Sequence, residues 1–163
     1  MANRHQDIET RMADQNKAED IFYREFNYKY MDKGGIIYKY GIHSFSPNEE
    51  QKSNMKHIPT FIRNTPDFFI LFNKIFELVE VKSCSMDLWL KQVDFEEYRK
   101  WDKMYNLFFY IHSFKHNGGI KISFKKLDNL IKSNNFKVDK HHDSWKECWV
   151  IPFEDIVDAA KNL

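Results

Sequence analysis

The sequence predicts an α/β fold, a central mixed β-sheet flanked by helices, in one domain spanning residues 1–163. Three observations predict it. Residues 4–30 carry an apolar stripe at steps of three and four, the spacing of one helix face. Residues 67–82 hold two nearly continuous runs of large apolar residues, as strands buried on both faces require. From residue 94 onward, helix-like and strand-like runs alternate to the end of the chain, and an order of helix, three strands, helix and mixed elements implies a layered sheet.

The elements follow in order. Ile8, Met12, Phe22 and Phe26 define the stripe of the first helix, and Gly34-Gly35 end it. Residues 36–42 (IIYKYGI) are β-rich and read as a first strand. Residues 44–60 are polar, hold two prolines and read as a long loop. Residues 67–72 and 74–82 read as strands joined tightly near Asn73. Within residues 83–91 a short strand is placed at Trp89. Asp94, with Glu97 three residues on, reads as the capping box of a helix reaching about Tyr105, with Phe95, Tyr98, Trp101 and Tyr105 on one side. Residues 107–113 and 120–124 read as strands around a turn at Gly118-Gly119, 127–132 as helix, 148–152 as extended and 154–161 as helix.

Composition narrows the function classes. With 42% hydrophobic and 30% charged residues the chain has the balance of a folded domain, not of a disordered one. Twenty-five basic against 24 acidic residues leave a net charge of +1, which argues against a surface that coats nucleic acid throughout but allows a local basic patch. The longest apolar runs, residues 68–72 and 107–111, are too short to cross a bilayer, and the mostly polar first seventeen residues show no secretory leader. Two cysteines make no disulfide framework. A reduced, cytoplasmic protein is the expectation.

The chemistry concentrates in residues 65–83 (TPDFFILFNKIFELVEVKS). Residues two apart in a strand share a face, so Glu80 and Lys82 project together while Val79 and Val81 project oppositely. The tight link at Asn73 lays the Asp67 strand alongside. Two carboxylates and an ammonium then converge at one end of an apolar sheet, where uncompensated charge is costly. A hard divalent cation offsets that cost by binding the carboxylates. Such a cation polarises a phosphoryl oxygen and acidifies a bound water. An adjacent ammonium orients that water and stabilises the charge that develops.

Pro66-Asp67 followed thirteen residues later by Glu80-Val81-Lys82 resembles the motif of the PD-(D/E)xK nuclease superfamily, the restriction-endonuclease-like and Holliday-junction-resolvase-like proteins. The resemblance covers residues 4–113 and leaves 114–163 as a C-terminal α/β extension. It implies an α-β-β-β-α-β core, Mg²⁺ or Mn²⁺ as cofactor, Asp67 and Glu80 as metal ligands with the Val81 carbonyl, and Lys82 as the residue that positions water. Many members carry a further acid on the first helix. Glu19 falls on the apolar stripe at ~100° per residue, Asp20 faces away and Glu25 lies on the flank, so Glu19 is the candidate. Its alternative is a carboxylate at the edge of the stripe that reaches solvent or a lysine.

Other features are weaker. Lys91, Gln92 and Tyr98 follow the active strand, where members of this superfamily often meet nucleic acid, although Tyr98 also suits the core. Residues 111–146 hold eight lysines against three aspartates, a pattern equally suited to phosphates or to plain solvation. His141-His142 and Cys148 lack the paired ligands of a zinc site. Cys84 reads as a small buried residue. His43 and His57 precede the motif, and cap-snatching RNA endonucleases of the superfamily use an upstream histidine as a metal ligand. The expected function is a metal-dependent nuclease, DNA being favoured over RNA. A cap-snatching-like RNA endonuclease and a non-catalytic module that binds nucleic acid or protein on the same fold are the alternatives. Resolvases act as dimers, so the resemblance is compatible with a homodimer, yet no sequence feature marks a dimer surface.

Overall fold

Asn73 and Lys74 both adopt left-handed backbone conformations, φ 51° and 64°, and close a two-residue hairpin between paired Phe72 and Ile75. A turn with positive φ at both central residues matches the natural twist of its strands, and asparagine tolerates that conformation well. This turn fixes the register of the central sheet. The computed structural model describes residues 8–40, 57–141 and 144–162.

Helix α1 (Ile8–Met31) leads to strand β1 (Ile36–Lys39). Gly34, at φ 73°, turns the chain between them, and the Gly35 N–H donates to the Tyr30 carbonyl at 2.8 Å. A single helical turn, α2 (Thr60–Arg63), precedes β2 (Phe68–Phe72) and β3 (Ile75–Cys84). Then come β4 (Asp87–Lys91), α3 (Gln92–Met104), β5 (Asn106–Ser113), β6 (Gly118–Ser123), α4 (Phe124–Ser133), β7 (Lys137–Lys140), β8 (Glu147–Pro152) and α5 (Phe153–Lys161).

The main sheet has the order β1-β2-β3-β5-β6. Only the β3–β5 pair is parallel, with α3 as its crossover, so the sheet is mixed as the sequence predicts. Its two faces hold separate cores. On one side α1 lays Ala18 and Phe22 against Phe68, Ile70, Val79, Val81 and Tyr110. On the other, α3, α4 and α5 enclose Leu78, Phe109, Ile111, Phe95, Leu127 and Ile156. Strand β3 is covered on both faces, which accounts for its nearly unbroken apolar run.

The short strand expected at Trp89 is present as β4, whereas the readings of Asp94 and of Gly118-Gly119 need correction. β4 leaves the main sheet and pairs with β8, forming a second, three-stranded sheet β4-β8-β7. β7 has no strong β signal in its sequence, Lys-Val-Asp-Lys, and exists through its pairing with β8. Asp94 is not an N-cap: α3 begins at Gln92, and Asp94 lies inside the first turn with its carboxylate 3.5 Å from the Lys146 ammonium, a position that the helix dipole also favours. Gly118 and Gly119 lie within β6, and the turn falls at 114–117. A side chain at Gly119 would collide with the Tyr110 ring, so glycine here makes room for packing. The expected loop of residues 44–60 falls outside the described residues as far as 56, as do residues 41–42 of the first strand and 4–7 of the first helix.

Candidate active site

Antiparallel pairing of Phe68 with Val79 places Asp67, one residue before β2, level with Glu80 on β3. Asp67 is held there by a backbone contact: its Oδ2 accepts the Val81 N–H at 2.8 Å. Glu80 and Lys82 share a face, and the Lys82 ammonium lies 2.5 Å from Glu80 Oε1. The same oxygen accepts a hydrogen bond from the Tyr98 hydroxyl of α3, also at 2.5 Å. The three motif residues are therefore gathered at one end of β2 and β3, as their spacing predicts.

Glu19 approaches from α1 and is 6% exposed, like the buried Asp67 and Glu80. Its Oε2 lies 2.7 Å from the Lys39 ammonium of β1, and its Oε1 is 3.4 Å from Gln15 Nε2, one helical turn away. Gln15 also donates to the Val81 carbonyl at 2.7 Å and accepts from Ser83 Oγ at 3.4 Å. Glu19 is thus buried beneath the stripe and reaches a lysine at the same time. Sequence reasoning missed Gln15, Lys39 and Ser83. Gln15 lies one helical turn before Glu19, and residues four apart share a helix face. Lys39 meets Glu19 where α1 packs against β1.

The electrostatics are those of crowded carboxylates. Burial pushes the Asp67 carboxyl well above the ordinary range, and the Glu80 and Glu19 carboxylates push it further, against Lys82 and the Val81 N–H. Burial acts to lower the Lys82 pKa, but Glu80 and Asp67 outweigh it, so the ammonium is held more firmly than usual. Burial, then Glu80, raises the Tyr98 hydroxyl well above its normal value. Glu80 Oε2 is sealed from solvent with no hydrogen-bond partner among the described residues.

Among the described residues, no three His, Cys, Asp or Glu side chains are gathered closely enough to hold a metal ion. Glu19, Asp67 and Glu80 each face an N–H donor instead. The donor chemistry nonetheless fits a hard divalent cation: carboxylate and carbonyl oxygens only, one of them a buried oxygen without a partner among the described residues.

The residues expected to touch nucleic acid are placed differently. Tyr98 is 5% exposed and its hydroxyl donates to Glu80 Oε1. Gln92 opens α3, partly exposed. Lys91 ends β4, half-buried. Burial lowers its pKa and Lys146 and Lys82 add to that, against Asp94. His57 is exposed, and His43 and His142 lie outside the described residues. Cys148 is buried with its Sγ 3.6 Å from the Lys146 carbonyl. Cys84 is buried too, its thiol pushed up to about 11 by that burial.

No family model matches the chain, and no curated protein matches it. Among solved structures it is similar to Hjc, a Holliday junction resolvase of Archaeoglobus fulgidus, at 10% identity and a TM-score of 0.44, over 81% of this chain and 88% of that one. It is also similar to a nuclease from a fusselovirus, at 12% identity and a TM-score of 0.48, over 96% of this chain and 94% of that one.

Proposed function

We propose that this chain is a nuclease that hydrolyses phosphodiester bonds of nucleic acid with Mg²⁺ or Mn²⁺, and that DNA cut internally is its substrate. The observation that carries the reading is the convergence of buried Asp67 and Glu80 with Lys82, beside an orphaned Glu80 oxygen. Buried carboxylates gathered this closely are costly, and groups perturbed in this way cluster at functional sites.

In this reading Asp67, Glu80 and the Val81 carbonyl hold the cation, with Glu19 completing the set from α1. When bound, the cation supplies Lewis acidity toward a phosphoryl oxygen and a more acidic water. The Lys82 ammonium, fixed by Glu80, orients the attacking water and stabilises charge that builds on the phosphate. Tyr98 holds Glu80 in place from α3 through its hydroxyl, so the carboxylate is oriented before substrate arrives. Val81 plays two roles: its N–H fixes Asp67 and its carbonyl faces Gln15 on α1.

The test is a panel of single-stranded, duplex, flap and junction substrates, incubated with Mg²⁺, with Mn²⁺ and with EDTA. Cation-dependent cleavage by the wild type that disappears in Asp67→Asn is the expected result. A panel without cleavage in either metal would reject the reading in favour of a non-catalytic binding module.

A further inference from the structure

Each group assigned to the cation is engaged by a donor of the chain itself, and Glu80 alone keeps one oxygen, Oε2, without a partner among the described residues. Asp67 takes the Val81 N–H, the Val81 carbonyl takes Gln15, Glu80 takes Lys82 and Tyr98, and Glu19 takes Lys39. These donors are not equally mobile. The Val81 N–H is part of β3, and the Tyr98 hydroxyl is buried. Lys39 differs from both. It is the last residue of β1, the outermost strand of the main sheet, and its side chain is 43% exposed while that of Glu19 is 8% exposed. A long lysine side chain anchored there can leave the carboxylate for water without breaking a core contact.

Charge supplies the second argument. Counted as carboxylates, the form in which they would bind a cation, Glu19, Asp67 and Glu80 together with the Lys39 and Lys82 ammoniums sum to one negative charge. A divalent cation turns that into one positive charge, and a phosphodiester, singly negative, brings it to neutrality. The positive charge that meets the phosphate need not sit on the cation; a released Lys39 ammonium serves as well.

We propose that Lys39 is a built-in counter-ion of the site: it occupies Glu19 in the cation-free protein and transfers to a substrate phosphate when a divalent cation takes the carboxylate. The inference rests on the nuclease reading and adds a coupling to it. Cation and phosphodiester then favour each other's binding through one side chain, reciprocally.

The test uses the full chain and Mn²⁺ alone, followed by calorimetry without nucleic acid. Lys39→Gln keeps a polar side chain and removes the charge, and is expected to bind Mn²⁺ roughly tenfold more tightly than wild type, the scale of one ion pair between exposed and buried partners. Lys39→Arg keeps the charge and is expected to bind no more tightly than wild type. Lys121→Gln, which removes the partner of Glu77 elsewhere on the sheet, measures the generic effect of losing one positive charge and is expected to give a much smaller change. A second readout is the salt dependence of single-stranded oligonucleotide binding in Ca²⁺, whose slope should fall by about one charge in Lys39→Gln. Equal shifts in Lys39→Gln and Lys121→Gln, an unchanged slope, or no Mn²⁺ binding by any variant would overturn the proposal. Failure of the nuclease reading has a different sign, absence of cleavage by wild type, and leaves the Mn²⁺ comparison readable.

Discussion

Tyr98 on α3 donates its hydroxyl to Glu80 Oε1 on β3 across 2.5 Å, and the Lys82 ammonium lies 5.6 Å over the centre of the same tyrosine ring. One residue therefore braces both members of the Glu80–Lys82 pair, the carboxylate by a hydrogen bond and the ammonium by its π face. It also ties the motif strand to the crossover helix, so the packing of α3 against the sheet and the geometry of the site are one problem.

Tyr98→Phe separates these effects. The ring and its contact with Phe109 remain, while the hydroxyl is lost and a buried carboxylate oxygen loses a donor. Stability should fall by about 1–3 kcal/mol, the cost of depriving a buried polar group of its partner. Chemical denaturation measures it. In the nuclease assay the turnover rate should drop while the affinity for oligonucleotide in Ca²⁺ holds, because the substituted atom does not reach the surface. A variant as stable as wild type would mean that Glu80 relies on Lys82 alone.

Asp67→Asn tests the crowding of carboxylates. The asparagine carbonyl oxygen still accepts the Val81 N–H, so the backbone link survives, whereas the buried ionisable group crowded by Glu80 and Glu19 is gone. Without metal the variant should melt at a higher temperature than wild type. With divalent cation the order should reverse: at about a hundred times Kd, wild type gains about 2.7 kcal/mol by mass action and the variant gains far less. Thermal melts with Mg²⁺, with Mn²⁺ and with EDTA provide the comparison.

What the sequence disclosed was local. Alternation along β3 places Glu80 with Lys82 and Val79 with Val81, and the Asn73-Lys74 turn sets β2 beside β3; both read directly from residue order. Glu19 came from the resemblance, which implies an acid on the first helix, together with helical spacing, which puts it on the stripe. The departures are all non-local. β4 could not be assigned to a second sheet because its partner, β8, lies more than fifty residues on. Asp94 has the residue type and spacing of an N-cap, but Lys146 draws its carboxylate from another strand. Gly118-Gly119 looks like a turn until Tyr110 is seen to need the space. Tyr98 was legible as core, yet its hydroxyl's partner required the fold.

Arg99 and Asp128 give a pH prediction away from the site. Arg99 of α3 makes two hydrogen bonds, 2.8 and 2.9 Å, to the Asp128 carboxylate of α4, and Lys132 adds a third at 2.6 Å. The Arg99 hydrogen bonds, and then Lys132, hold the Asp128 carboxyl below its usual range despite the opposing effect of burial. A carboxyl whose folded pKa is depressed contributes stability above its unfolded value, near 3.9, and that contribution is lost as pH falls through the folded pKa. Asp128→Asn should therefore cost about 1–3 kcal/mol at pH 7. The difference from wild type should shrink as the pH is lowered below about 4. Urea melts of both proteins across that range would show it, and a gap that stays constant would mean that the carboxylate's charge contributes nothing.

Lys82→Ala is the sharpest test of catalysis against binding. Glu80 keeps the Tyr98 hydroxyl in this variant, so the carboxylate stays oriented and what is lost is the ammonium itself. The ammonium is 29% exposed at its side chain and lies beside Asp67 as well as Glu80, where it is held protonated. Its proposed work is felt in the transition state, so cleavage at saturating substrate should fall by roughly a hundredfold or more, the scale of one lost preorganised donor. Oligonucleotide affinity in Ca²⁺ should change little. A lysine that only contacts a phosphate would behave in the opposite way, with weaker binding and a salt slope reduced by about one charge, but an undiminished rate at saturation. Cleavage by Lys82→Ala at the wild-type rate would remove Lys82 from the chemistry and leave Asp67 and Glu80 without the partner that gives their convergence its catalytic meaning.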